Sequence, residues 1–109
     1  MANTFKLKTK ANVGVSTVGI YTAPAATTTV VIGITMANTS GSGVNVGVGI
    51  TRAGTSEDVK LLTNAPIPQG SSLEFMAGNK IVLEATDTVT VDSDTNNSID
   101  AALTIMEIT

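Results

Sequence analysis

Residues 29–51 read TVVIGITMAN, then TSGSG, then VNVGVGIT: two apolar runs in alternation with small or polar residues, parted by a Thr, Ser and Gly break. In the first run Val30, Ile32, Ile34 and Met36 occupy every second position. In the second, Val44, Val46, Val48 and Ile50 alternate with Asn45, Gly47, Gly49 and Thr51. Successive side chains of an extended chain point to opposite faces, so a period of two predicts half-buried strands. The break predicts a turn, and the two runs together read as a hairpin. Gly47 and Gly49 weaken their strand and leave bare backbone, which is open either to close approach by another chain or to tight packing within this one.

The same alternation extends outward in both directions. In residues 5–15, Phe5, Leu7, Val13 and Val15 fall on one face and Lys6, Lys8 and Lys10 on the other, which predicts an amphipathic strand. After the polar connection at 52–58, VKLLTN reads as a short strand that runs into Ala65-Pro66-Ile67-Pro68-Gln69-Gly70. Each proline lacks a ladder donor, so this segment belongs at a sheet edge or in a crossing loop where the chain changes sheets. SSLEFMA and KIVLEA flank Gly78-Asn79 as a second expected hairpin, with Leu73, Phe75, Ile81 and Leu83 inside, and DTVTVD at 87–92 adds a strand. The last stretch, SIDAALTIMEIT, is apolar on both faces: Ile99, Ala101, Leu103 and Ile105 on one, Ala102, Met106 and Ile108 on the other. A strand of that kind is either central in its sheet or covered by another subunit. About eight short strands with helices nearly absent predict an all-β, single-domain antiparallel β-sandwich or jelly-roll-like barrel over residues 1–109.

Composition sets the expected mode of action. The chain is 42% hydrophobic, yet Phe5, Tyr21 and Phe75 are its only aromatics. Its core is expected to be thin, and association with other chains is the usual remedy for a small domain. A homo-oligomer is the expected state. Net charge is −3, and three of the six cations are Lys6, Lys8 and Lys10. That balance speaks against nucleic-acid binding, and the first residues are expected to form a docking arm or edge strand over 1–10. The chain has no run apolar enough for a signal peptide or a membrane span, so it is expected to be soluble and unexported.

With no His and no Cys, the commonest general base, the thiol nucleophile and the nitrogen and sulfur metal ligands are missing, and no enzyme activity is expected. Glu84 and Asp87 form a carboxylate pair without the aromatic-rich cleft that sugar hydrolysis needs. Asp92, Asp94 and Asn96 are spaced like the opening of a calcium loop, but Asn97 and Leu103 stand where such a loop wants Gly and Glu. A polar turn is expected there. Neither catalytic nor metal nor cofactor residues are assigned. The candidate interaction residues are Phe5, Lys6, Leu7, Lys8, Lys10, Gly47, Gly49, Met106 and Ile108.

The order of NAPIPQGSSL at 64–73, KIVLE at 80–84, DTVTV at 87–91 and LTIMEIT at 103–109, together with the opening MANTFK and TTVVIGI at 28–34, resembles small virion structural proteins of tailed phages, especially T4-like myoviruses of marine cyanobacteria. The resemblance spans nearly the whole chain and lies in strand and turn patterns, with no reactive residue to carry over. It implies a virion location, with assembly in the host cytoplasm, and partners that are other copies of the chain and virion proteins such as the major capsid protein. A capsid decoration or cement protein, a trimer in the form expected, is the first reading. A neck, tail or baseplate accessory protein is the second, and a carbohydrate- or calcium-binding module of an adsorption fibre is a third from another class.

Overall fold

A computed structural model describes residues 3–75 and 80–109. Among them are nine strands and no helix: β1 (Asn3–Val13), β2 (Val18–Thr22), β3 (Thr28–Asn38), β4 (Val44–Arg52), β5 (Glu57–Ile67), β6 (Ser72–Phe75), β7 (Ile81–Leu83), β8 (Asp87–Ser93) and β9 (Ile99–Ile108). They form two antiparallel sheets. The first has the order β1-β9-β3-β6, with β7 also on β3, and the second has the order β2-β8-β4-β5. β6 and β7 run in the same direction along β3, from Ala37↔Ser72 to Thr29↔Leu83, and so occupy one strand position between them. The chain crosses from sheet to sheet at β1–β2, β2–β3, β3–β4, β5–β6, β7–β8 and β8–β9, and its first and last strands lie side by side with Asn3 opposite Ile108. Two four-position sheets wound in this way are a jelly roll, the fold class the alternation predicts.

The inner faces supply the core. Val44, Val46, Val48 and Ile50 of β4 and Val89 and Val91 of β8 pack against Val31, Ile34 and Met36 of β3 and Ile99, Leu103 and Ile105 of β9. Each of these is at most 9% exposed. Tyr21 is the only aromatic fully inside, while Phe75 lies partly buried against the core. Polar side chains close the ends of the inner faces, and among the described residues no buried side-chain N or O lacks a partner.

Several expectations about pairing and facing are corrected. β3 and β4 are not a hairpin: they belong to opposite sheets. Buried Asn38 makes the corner between them. Its Nδ2 donates to the Ser42 and Ile67 carbonyls at 2.8 and 2.9 Å, and its Oδ1 accepts from the Ser40 amide at 2.9 Å. The five residues after it are thereby folded over the sandwich end instead of reversing within one sheet. β6 and β7 are not a hairpin either, since both pair with β3; Gly78-Asn79 lies outside the described residues. Bulges break two expected faces. In β3 the register shifts between Val31 and Gly33, so Val31, Ile34 and Met36 point inward while Val30 does not. In β1 it shifts between Lys10 and Val13, with Asn12 at φ 59°, so Val13 is buried while Phe5 and Leu7 face outward and Val15 is exposed. β2 was not expected from the sequence. Pro66 sits in edge strand β5, and Pro68 in the connection that changes sheets.

Candidate interaction surface

β1 is paired on one side only, and its residues from Asn3 to Asn12 are all exposed or half-buried. Register with β9 sets their directions. Phe5 and Leu7 lie opposite Met106 and Thr104 on the outer face, and Lys6, Lys8 and Lys10 lie opposite Ile105, Leu103 and Ala101 on the inner side. The lysines are therefore not an outward row. Lys6 reaches buried Glu107, Nζ to Oε1, at 2.8 Å. The other oxygen, Oε2, accepts from the Tyr21 hydroxyl at 2.6 Å, and that hydroxyl is 2.8 Å from Thr29 Oγ1. One carboxylate thus ties the edge strand to β2, β3 and β9. The Lys6 ammonium, then the Tyr21 hydroxyl, hold Glu107 below the usual glutamate range. Burial, then the bond to Glu107, pushes the Tyr21 phenol up to about 12. Tyr21 is 7% exposed and offers no ring face to a sugar.

The outer face of the first sheet is apolar along one cross-strand row. Phe5 pairs with Met106, Met106 with Val30, and Val30 with Val82, so the row spans all four strand positions. Phe5 is 69% exposed and Val82, at the far edge, 58%, and Leu7 beside Phe5 is 64% exposed. Ile108 is on the same face, one step along the strand direction. The equivalent row on the outer face of the second sheet runs Thr22, Thr88, Thr51, Asp58. There the Thr22 and Thr88 hydroxyls bond each other at 2.8 Å.

Four of the candidate residues, Phe5, Leu7, Met106 and Ile108, therefore share one surface. Lys6, Lys8 and Lys10 line the reverse of the same edge. Gly47 and Gly49 are on the other sheet, in a strand flanked by β5 and β8. A Cβ at Gly47 would meet Asp92 Oδ1 at 2.6 Å, and one at Gly49 the Val59 carbonyl at 2.8 Å, so the chain's own atoms fill that space. Val30 and Val82 were missed because alternation within a strand shows which residues share a face, not which strands put their faces together.

Several of the remaining charged groups are engaged within the chain. Asp92 accepts from the Thr17 hydroxyl at 3.0 Å and Asp94 from the Asn45 amide at 3.1 Å, so the two carboxylates tie the end of β8 and the turn after it to the β1–β2 connection and to β4. At the opposite edge an open recess of about 450 Å³ is lined by Ile50, Arg52, Val59, Val82 and Glu84 among others. Its guanidinium, on Arg52, is bonded to Glu84 and to buried Asp87. No group of three or more acidic side chains arranged to hold a metal ion occurs among the described residues.

No protein-family model matches the chain, and no curated protein matches it in sequence. Solved structures do match its fold. A chain from the disulfide-linked pili of Bacillus endospore appendages superposes with a TM-score of 0.59 at 14% identity, over 99% of this chain and 87% of that one. A chain of infectious bursal disease virus, Gx strain, gives 0.57 at 13% identity over 95% of this chain, which spans only 33% of the viral chain's length. A pentameric capsid protein from metagenomic phage sequences gives 0.48 at 15% identity, over 94% of this chain and 59% of that one. The jelly roll of this chain is thus similar in fold to a chain from a pilus and to part of a chain from a virus.

Proposed function

We propose that the chain is a structural protein of a phage particle, most simply a capsid decoration or cement protein, and that it works by protein–protein contact without catalysis. The observation that carries this reading is the apolar outer face of the first sheet, which ends in an edge strand with free backbone. Such a face and such an edge are contact devices. Among the described residues every buried polar side chain is hydrogen-bonded, and Arg52, Glu84 and Asp87 are paired with one another. Two proteins that share the fold come from a pilus and from a virus. The pilus named there is disulfide-linked, a linkage this chain cannot make because it has no cysteine. The order of strand and turn motifs favours a tailed phage, with the T4-like cyanophages as the finer assignment, and residues 1–10 as the segment that reaches a neighbour.

Counting copies in purified particles by quantitative mass spectrometry tests the reading. A decoration protein is expected in roughly hundreds of copies, whereas about six to eighteen would move it to the neck or baseplate, where cyclic symmetry fixes small multiples. Absence from the particles would overturn the virion reading altogether.

A further inference from the structure

We propose that the outer face of the first sheet is a self-association surface, on which a second copy of this chain packs face to face about a two-fold axis. The contrast between the two outer faces comes first. On equivalent rows one sheet presents Thr22, Thr88, Thr51 and Asp58, and the other presents Phe5, Met106, Val30 and Val82. An antiparallel sheet that meets water on its outer side alternates apolar with polar, as the second sheet does. The first sheet keeps apolar side chains on both sides, and the most exposed of them is one of the chain's three aromatics.

Charge selects the occupant. In a two-fold interface each residue near the axis meets its own counterpart, so a self-complementary face must keep charge away from its centre. The apolar row and its neighbours on β1, β9 and β3, with Leu7, Thr104, Ile108 and Thr28, carry none, and charge enters beside the row at the far edge, where Lys80 and Glu84 flank Val82. The other acidic residues on this face, Glu74 and Asp100, pair with Thr35 and Ala37 toward its other end, and Lys6 and Lys8 point to the reverse side. A strongly charged partner would find nothing at the centre of this face to pair with, whereas a second copy meets an equally uncharged centre.

Size is sufficient as well. Four strand positions about 4.8 Å apart and roughly ten residues long give a plan area on the order of 500 Å². Side-chain relief raises this toward the roughly 800 Å² per partner of a stable interface. Facing sheets would sit about 10 Å apart, as stacked sheets do.

The inference rests on the assembly reading only in taking the chain to act through protein contacts, and purified protein without particles tests it separately. Sedimentation equilibrium of the wild type is expected to show a dimer at low micromolar concentration. Phe5→Glu and Val82→Lys, each at a largely exposed position, are expected to weaken the dimer about 100-fold while keeping the wild-type circular dichroism. Thr51→Lys, on the outer face of the second sheet, is expected to leave it unchanged. Val82 decides between face and edge, because it lies at the far side of the sheet from β1. If Val82→Lys does not fold, Val82→Thr replaces it, with about tenfold weakening expected. A monomeric wild type overturns the inference, even where the protein still binds particles through this face. So does a dimer that loses affinity on Phe5→Glu but not on the Val82 substitution, since that outcome identifies edge pairing through β1.

Discussion

At the scale of single residues, the Lys6, Glu107, Tyr21 and Thr29 cluster decides how the edge strand is held. Glu107 is inward-facing at the end of a core strand, where an unpaired carboxylate would be costly. Its folded pKa is lowered by Lys6 and Tyr21, so the stability it contributes is fully present above the ordinary glutamate pKa of about 4.3 and is lost as pH falls through the lowered folded value. Lys6→Met removes the larger cause and leaves burial to act in the other direction. Its acid unfolding midpoint, followed by circular dichroism, is expected at higher pH than that of the wild type. At the alkaline end the sign reverses. The Tyr21 phenol is raised to about 12, so its contribution is intact below about 10 and fades as pH rises through the folded value. The glycines give a second residue-scale test. Gly49→Ala would press a methyl against the Val59 carbonyl at 2.8 Å, and backbone cannot step aside as a side-chain tip can. Overpacking of this kind costs about 1–3 kcal/mol. A Cβ added at Gly33 would have nothing within 4 Å, and the residue has no positive φ, so Gly33→Ala is expected to be neutral or to stabilise by up to about 1 kcal/mol. Urea unfolding of the pair measures both signs.

Among the elements, β1 and β9 sit side by side in one sheet but have opposite roles. β9 is paired on both sides and contributes Ile99, Leu103 and Ile105 to the core, while β1 buries only Val13 fully. Removing residues 1–10 takes away ladder hydrogen bonds and the Lys6 pair but almost no core. The truncated chain is expected to keep its β-type circular dichroism at a lower Tm and to lose self-association, because Phe5 and Leu7 go with it. A truncated chain that fails to fold would instead make β1 an ordinary structural strand. What the sequence showed of these elements follows from the physics of alternation. Period two located β3, β4, β8 and β9 and the apolar faces of β4 and β9. It could not foresee that one inserted residue near Ile32 and another near Asn12 would turn the face of a strand, since a bulge leaves no mark in hydrophobicity. It also could not choose partners: β3 and β4 looked like a hairpin because Thr-Ser-Gly-Ser-Gly suits any reversal, and the bonding of Asn38 that sends the chain across the sandwich appears only in three dimensions. β2 escaped notice because Val-Gly-Ile-Tyr-Thr is short and interrupted by Gly19.

In the molecule as a whole, a valine-rich core with one buried aromatic stands against a sheet face left apolar on its outside. The doubly apolar pattern of β9 made half of that face legible in the sequence through Met106 and Ile108. The other half, Val30 and Val82, depended on the register between strands distant in sequence. If a second copy covers this face, part of the folding free energy belongs to the pair, and stability must follow mass action. For a dimer that unfolds to separate chains, a hundredfold rise in concentration adds about 2.7 kcal/mol per dimer, or roughly 1.4 kcal/mol per chain. In a domain of about 100 residues this corresponds to a Tm higher by about 5–10 °C. Scanning calorimetry of the wild type across two decades of concentration is expected to show that rise. Val82→Lys is expected to abolish the slope while lying near the wild-type Tm at the dilute end, because the substitution touches an exposed side chain and not the core. A Tm that does not move with concentration in the wild type would mean that the jelly roll is stable alone and that its apolar face contributes nothing to folding. Equal slopes in wild type and variant would place the subunit contact on another surface.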